Sequence, residues 1–303
     1  MRQLQKRALI SLVTVLILGA VIWSFTAPHP VDQSAQLLAT PEAIARGEYL
    51  VTAGGCVSCH LAVNDDGSTD TSVLSGGHAL TSEFGTFYVP NITPDKETGL
   101  GNWDAQDFLI ALKQGRSPDG SFYYPAFPYR SYAGLSDEDA LDIAAYLMSL
   151  EPIEKTVPEH ETAWWLNRFA LVGWNLLFDF FGGELPAVEV DGLEKDEQDL
   201  LARGAYLARN LGHCGECHTP RNGLGIPKFA EEFSGATLGD EVIEAINSEA
   251  LAEWTRDSFD LFLILGMKPD AEFVGGDMND VIEHNTSRLS DEDRLALAAF
   301  FTR

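Results

Sequence analysis

Apolar positions fall into one long run and several shorter periodic segments. Residues 8–25 form an uncharged, mostly apolar run of 18 residues, a length that just suffices for a helix to span the hydrocarbon layer of a membrane. Residues 46–50 and 203–207 each have the amphipathic pattern of a helix start, and residues 143–147 and 297–301 carry small and large apolar side chains at helical packing spacing. The pattern predicts a mainly α-helical protein with an apolar N-terminal helix.

The charges around the first apolar run set its expected orientation. Arg2, Lys6 and Arg7 precede it, and no acidic residue occurs before Asp32. By the positive-inside rule, the N-terminus then stays in the cytoplasm and the rest of the chain lies outside. A cleaved signal peptide is the alternative, but its apolar region is usually shorter, and residues 24–28 contain no obvious small-x-small cleavage site. We expect an uncleaved, single-pass transmembrane anchor.

Two motifs occur twice along the chain, which indicates an internal duplication. Arg-Gly-x-Tyr-Leu begins at Arg46 and again at Arg203, and Leu-Ser-Asp-Glu-Asp begins at Leu135 and again at Leu289. In the second motif a serine or aspartate can cap a helix N-terminus, and the acidic residues suit the positive end of that helix. The expected organisation is an anchor over residues 1–30, a domain over 38–153, a linker over 154–198 and a second domain over 199–303.

The linker contains an aromatic segment, residues 164–181. Its polar residues make it a poor membrane span; they are Asn167, Arg168, Asn175 and Asp179. Three interpretations are open: a clasp between the two domains, a helix on the membrane surface, or a docking face for a partner subunit.

The overall charge limits the partners that the chain can attract. There are 46 acidic and 20 basic residues, which give a formal net charge of -26. A negative field of this size repels nucleic acid and favours the approach of cationic proteins. We therefore expect no nucleic-acid partner. The alternative explanation of the charge is that it serves only solubility.

All four cysteines belong to two Cys-x-x-Cys-His motifs, which are formed by Cys56, Cys59 and His60 and by Cys214, Cys217 and His218. Two thiols at this spacing can form thioethers to the vinyl groups of a haem, and the adjacent histidine can bind the iron as its proximal ligand. A redox disulfide does not need that histidine, and a zinc site would not need it twice. The motifs predict two covalently bound haem c groups. In bacteria these are attached outside the cytoplasmic membrane, so we expect haem domains on the periplasmic side of the inner membrane.

A haem that only transfers electrons also needs a second axial ligand, and a methionine thioether in that position raises the reduction potential. In the second domain Met278 follows two glycines and precedes Ser290 by twelve residues. Met267 lies in an apolar segment, where packing is the usual role of a methionine. We expect Met278 to bind the second iron.

The first domain lacks this methionine. The corresponding residue is Phe127, which has no lone pair to offer to iron. His78 and Met148 are the nearest alternatives in the sequence, although a lone histidine is more often structural and Met148 has a core-like helical setting. The third alternative is a five-coordinate or weakly ligated iron. Of the two residues, His78 is the candidate distal ligand of the first iron.

Together these motifs resemble those of the membrane-bound cytochrome c subunits of periplasmic alcohol, aldehyde and gluconate dehydrogenases and their di-haem relatives. The matching segments are residues 46–50, 56–60, 84–88, 91–95, 98–103, 124–129, 214–221 and 275–278. The resemblance covers most of residues 40–303 and implies two tandem class I-like cytochrome c domains after the anchor. The chain departs from the family in having two haem motifs rather than three, and in having Phe127 where the first family domain has methionine.

The resemblance implies an electron-transfer protein with no catalytic residues of its own. It would carry electrons between a periplasmic or membrane donor and a respiratory acceptor, including as a subunit of a larger redox complex. The expected partners are a basic cytochrome c, a quinol- or oxygen-linked respiratory complex, or a periplasmic dehydrogenase. Trp103, Arg130 and Arg221 are candidate contacts of the haem propionates, to which their N–H groups can donate hydrogen bonds. The alternative function is a peroxidase-like di-haem redox enzyme with an open or weakly ligated first haem.

Overall fold

The computed structural model describes residues 27–303, apart from residues 65 and 240 and the side chain of Phe169, together with residues 3, 5–7, 9, 13, 14 and 19. In this described part, no helix has the length and apolar content that crossing a bilayer requires. The longest described helix has 14 residues and spans about 21 Å, against a hydrocarbon layer of about 30 Å. The predicted anchor over 8–25 falls mainly outside the described residues. The predicted fold class, which begins with a transmembrane helix, is therefore wrong for the described chain, and the predicted single-pass inner-membrane location loses its basis with it.

Short helices and shorter strands make up the first half of the chain. The elements are α1 (Pro41–Ala53), α2 (Cys56–His60), β1 (Ala62–Val63), β2 (Thr69–Asp70), β3 (Ala79–Ser82), β4 (Gly85–Tyr88), α3 (Ala105–Gln114), α4 (Tyr129–Tyr132) and α5 (Asp137–Ser149). Polar side chains begin the longer helices, since Thr40 caps α1, Asp104 caps α3 and Ser136 caps α5.

The rest of the chain repeats this order after a connecting segment. The connecting segment contains β5 (Glu161–Thr162) and α6 (Arg168–Phe181). The second half contains α7 (Lys195–Tyr206), a π-helical turn (Leu207–Leu211), α8 (Gly215–His218), a 3-10 turn (Phe229–Glu231), β6 (Ala236–Leu238), β7 (Glu241–Ile243), α9 (Arg256–Leu265), α10 (Asp277–His284), a second 3-10 turn (Thr286–Arg288) and α11 (Asp291–Phe301). Ser290 caps α11 as Ser136 caps α5.

The glycine of the repeated Arg-Gly-x-Tyr-Leu motif lies where two helices cross. In the first half α1 crosses α5, and in the second half α7 crosses α11. A Cβ atom on Gly47 would lie 1.9 Å from the carbonyl oxygen of Asp142, and one on Gly204 would lie 2.1 Å from that of Ala296. Only glycine allows this approach, so the motif sets the first packing contact of each half.

The other residues of the two repeated motifs join the halves to each other. Arg203 donates two hydrogen bonds to Asp293 of its own half, each 2.7 Å long, and Tyr49 of the first half donates a third at 2.6 Å. The reciprocal contacts converge on Asp139, which accepts hydrogen bonds from Arg46 of its own half and from Tyr206 of the second half. Each half therefore contributes a tyrosine to the carboxylate of the other, and the buried apolar side chains of both halves form one continuous cluster.

The connecting segment contacts both halves. Strand β5 adds to β4 in the antiparallel sheet order β3-β4-β5. From α6, Asn175 accepts a hydrogen bond of 3.0 Å from the Tyr129 hydroxyl of the first half, and the Trp174 indole donates one of 2.8 Å to the Leu224 carbonyl of the second. These contacts are those of a clasp, although Phe180 and Phe181 at the end of α6 stay exposed.

Candidate haem sites

The first Cys-x-x-Cys-His motif forms helix α2, directly after Gly55 in a left-handed conformation. Cys56 and Cys59 are partly buried and have free thiols. The Nδ1 atom of His60 lies 2.9 Å from the carbonyl oxygen of Pro90, and burial lowers the pKa of His60 to about 4. The imidazole is therefore neutral and donates its Nδ1 proton to that carbonyl, which leaves the Nε2 lone pair for a metal.

The second motif repeats this arrangement with a different acceptor. The Nδ1 atom of His218, at the end of α8, lies 2.7 Å from the carbonyl oxygen of Glu244. Burial lowers the pKa of His218 as well. Cys214 and Cys217 also have free thiols. Two thiols for thioethers and one oriented, neutral imidazole form the donor set that a covalently attached haem requires, so both turns fit the group.

Hydrogen bonds in the two halves place Phe127 and Met278 at equivalent positions. The amide of Tyr123 donates to the carbonyl of Gly115 at 2.8 Å, and the amide of Val274 donates to that of Gly266 at 2.9 Å. Both glycines end a helix in the left-handed conformation. Phe127 lies four residues after Tyr123, and Met278 lies four residues after Val274.

The environments of these two residues differ. Met278 is the second residue of α10 and is partly buried against the core. The ring of Phe127 packs against the rings of Tyr123 and Tyr132, with centroids 5.6 Å away in each case. Iron ligation by Met278 stays a prediction.

The alternative ligands of the first iron lie in other elements. The carbonyl of His78 accepts a hydrogen bond of 2.8 Å from the amide of Val89. The residue after Val89 is Pro90, whose carbonyl accepts the hydrogen bond from His60. Met148 lies on α5 and packs against the core. No described contact brings His78 or Met148 to the ring cluster of Phe127, and ligation by either residue stays a prediction.

The three predicted haem contacts already have protein partners. Trp103 packs edge-on against Phe108 at 5.2 Å. Arg130 pairs with Asp179 at 2.7 Å, and its guanidinium lies over the Phe178 ring at 4.3 Å. The Nε atom of Arg130 is buried without a hydrogen-bond partner in the part of the chain that the structure describes.

Arg221 donates to the carbonyl of Gly225 at 2.8 Å and pairs with Glu216. Arg130 and Arg221 line the same crevice between the halves. Their contact with propionates stays a prediction.

Two features of the sites were missed by the sequence reasoning. The carbonyl acceptors of Pro90 and Glu244 have no sequence signal, because any residue offers a carbonyl. The second feature is His213, whose Nε2 atom lies 3.2 Å from the carbonyl oxygen of Gly54. A difference in spacing between the two repeats in the sequence could have drawn attention to this region. The second repeat has one more residue than the first between its arginine and its first cysteine.

Comparisons with known proteins agree with the donor set. The cytochrome c family model matches residues 44–151. The chain is 43% identical over 298 residues to a diheme cytochrome c-type protein of Cereibacter sphaeroides, covering 96% of both chains. It is also 34% identical to the cytochrome c subunit of gluconate 2-dehydrogenase of Pantoea cypripedii and 33% identical to that of the quinone alcohol dehydrogenase of Gluconobacter oxydans.

The alignment to these dehydrogenase subunits covers 95% and 93% of this chain but 64% and 58% of theirs. The predicted resemblance to dehydrogenase cytochrome c subunits is confirmed, and so is the prediction of two covalent haems. With two turns that each present free thiols and an oriented imidazole, the chain belongs to the cytochrome c family and carries two covalently bound haem c groups.

Proposed function

We propose that this protein transfers electrons from a dehydrogenase to a respiratory acceptor, as a cytochrome subunit of a redox complex. Each haem supplies one-electron chemistry by cycling between its ferrous and ferric states. The similarity to cytochrome subunits of gluconate and alcohol dehydrogenases supports the donor class. A basic cytochrome c or a quinol- or oxygen-linked complex is the acceptor in this proposal, because the negative net charge of -26 favours cationic partners.

The observation that carries the proposal is the contact between the two segments that lead into the haem-bearing turns. A Cβ atom on Gly54, which precedes the first turn, would lie 3.3 Å from the Leu211 side chain, which precedes the second. Cys56 and Cys214 both pack against the shared apolar core. Each cysteine pair holds its haem on one of these turns. An electron that enters the haem of one half is therefore close to the haem of the other half.

Axial ligation distinguishes the two halves in this proposal. His60 and His218 are the proximal ligands, and Met278 is the distal ligand of the second iron. The second haem then has the higher potential, because a thioether favours the ferrous state. The domain boundaries at 38–153 and 199–303 belong to the same proposal.

An optical redox titration of the purified holoprotein tests this assignment. We expect two one-electron transitions, and we expect Met278→Leu to lower the higher potential while it leaves the other in place. Met267→Leu is the matched control, because Met267 is the other methionine of the second half and lies in an apolar segment, where packing is the usual role of a methionine. A single transition, or a titration curve unchanged by Met278→Leu, would contradict the assignment.

One observation favours a second candidate function, which is the binding and reduction of a small ligand such as peroxide at the first haem. Phe127 stands in the structural position of Met278 and offers iron no lone pair, so the distal side of that haem depends on His78, Met148 or an exogenous ligand. The test is the ferric spectrum together with carbon monoxide binding to the reduced protein. We expect a high-spin signal that Phe127→Met removes, whereas a low-spin spectrum of the unmodified protein with no carbon monoxide binding excludes this function.

A further inference from the structure

Three side-chain and backbone groups converge between the two haem-bearing turns. The Nε2 atom of His213 lies 3.2 Å from the carbonyl oxygen of Gly54, and the hydroxyl of Tyr132 donates to the same oxygen at 3.2 Å. The rings of His213 and Tyr132 meet edge-on at 5.5 Å. His213 immediately precedes Cys214, and Gly54 lies two residues before Cys56. The cluster therefore ties one haem attachment turn to the other.

The second half contains an additional residue that makes this contact available. Arg46 and Cys56 are ten positions apart, whereas Arg203 and Cys214 are eleven positions apart. Helix α7 ends in the π-helical turn Leu207–Leu211, and a π turn is the usual way in which a helix accommodates one inserted residue. His213 follows this turn with a φ of 39°. Residues other than glycine rarely adopt this left-handed backbone conformation.

Both haem-bearing turns have a left-handed residue before their first cysteine, and in the first half that residue is Gly55, with a φ of 65°. The second half differs in placing a histidine there, where glycine would be unstrained, and strain that the surroundings maintain is a pointer to function. The first half makes the equivalent turn without an inserted residue, so attachment of a haem does not need one. The contact that accompanies the insertion is the hydrogen bond from His213 to Gly54. This contact joins the two halves, so we connect the insertion with a role that involves both of them.

We propose that His213 and Tyr132 are positioning residues that fix the separation and orientation of the two haem-bearing turns, and thereby set the rate of electron exchange between the irons. This inference rests on the proposed electron-transfer function. One electron leaves a ferrous iron, which becomes ferric, and enters a ferric iron, which becomes ferrous; no bond or proton is exchanged. Electron tunnelling falls exponentially with distance, and each haem is bonded to its turn, so a displaced turn slows the exchange.

The experiment injects one electron into the oxidised holoprotein by pulse radiolysis and follows its equilibration between the haems. We expect His213→Ala to slow this equilibration by about tenfold, because a misplacement of about 1 Å can cost about 10²-fold in rate and a smaller one costs less. Tyr132→Phe slows it less, because the His213 bond survives. His213→Gln keeps an N–H donor and restores part of the rate. Dipolar coupling between the irons, measured by electron paramagnetic resonance, should weaken in His213→Ala while the absorption spectrum of each haem is unchanged.

Tyr49→Phe is the matched control, because it removes a different hydrogen bond between the same halves. An unchanged equilibration rate in His213→Ala, or an equal loss in Tyr49→Phe, overturns the proposal. These outcomes are distinguishable from failure of the proposed function, which would appear in the unmodified protein as haems that exchange no electron at all.

Discussion

The hydrogen bond from Tyr49 to Asp293 provides a direct test of how the two halves are held together. Tyr49→Phe removes one hydroxyl that donates to a carboxylate at 2.6 Å, in a setting where the Asp293 side chain is only 9% exposed. A hydrogen bond to a charged group contributes about 1.5–3 kcal/mol. Arg203 still donates two bonds to Asp293 in the variant, so the carboxylate is not left unpaired. The expected loss in free energy of unfolding is therefore at the lower end, about 1.5 kcal/mol.

The repeat predicts the same loss at the other carboxylate. Tyr206→Phe removes the equivalent bond to Asp139, whose side chain is 4% exposed. Because Arg203 also interacts electrostatically with Asp139, the two sites share a network, and the double variant should deviate from additivity.

Unfolding of the holoprotein in urea, followed by circular dichroism and by the haem absorption band, measures both variants. Tyr146→Phe is the control, because Tyr146 lies on α5 and its hydroxyl makes no hydrogen bond in the described part of the structure. We expect this control to change stability by less than about 0.5 kcal/mol. If Tyr49→Phe and Tyr146→Phe unfold at the same urea concentration, the reciprocal tyrosine contacts do not hold the halves together.

Three further predictions concern one glycine contact, one buried carboxylate and the net charge of the protein. Gly204→Ala should destabilise the protein by about 1–3 kcal/mol in the same urea assay, because its Cβ atom would lie 2.1 Å from the Ala296 carbonyl, whereas Gly223→Ala meets no atom within 4 Å and should be near neutral. Burial raises the pKa of Asp293, but hydrogen bonds from Arg203 and Tyr49 outweigh it and hold the pKa below its ordinary value. Asp293 therefore stabilises the fold above its unfolded pKa of about 4, and the stability gap between the unmodified protein and Tyr49→Phe should shrink as the pH falls below that value. Stopped-flow association with a basic cytochrome c should slow steeply with added salt, and rates that ignore salt would remove the charge-steering argument.

The sequence predicted the elements whose pattern is local. Both haem turns, the capped helices α5 and α11 and the duplication itself could be found because they repeat as short motifs. The serine caps are an example, since the hydroxyls of Ser136 and Ser290 accept the expected hydrogen bonds from the backbone amides of Asp139 and Asp293. The second function of these aspartates, as acceptors for tyrosines of the other half, could not be predicted, because it depends on how the halves face each other.

The transmembrane prediction shows a different limit. Apolar run length and flanking charge measure only whether a segment could cross a bilayer. The structure describes no helix able to do so within residues 27–303 or at the few described positions before them. The short strands were also missed, because β1, β2 and β5 each have two residues, too few for an alternating pattern to be recognised.

The places where the two halves match and the places where they differ have separate physical causes. The reciprocal contacts need Tyr49 to be matched by Tyr206, because each tyrosine donates to an aspartate of the other half. A change in one copy would leave a buried carboxylate short of a donor. The haem sites have no such reciprocity, so each can change alone. The differences lie there: Phe127 stands where the second half has Met278, and the residue inserted before Cys214 is followed by His213, which contacts Gly54 of the first half. In the proposed function, a duplicated chain that keeps its interface while its haem surroundings diverge holds two irons in unequal environments at a fixed separation, which is the arrangement that directional electron transfer requires.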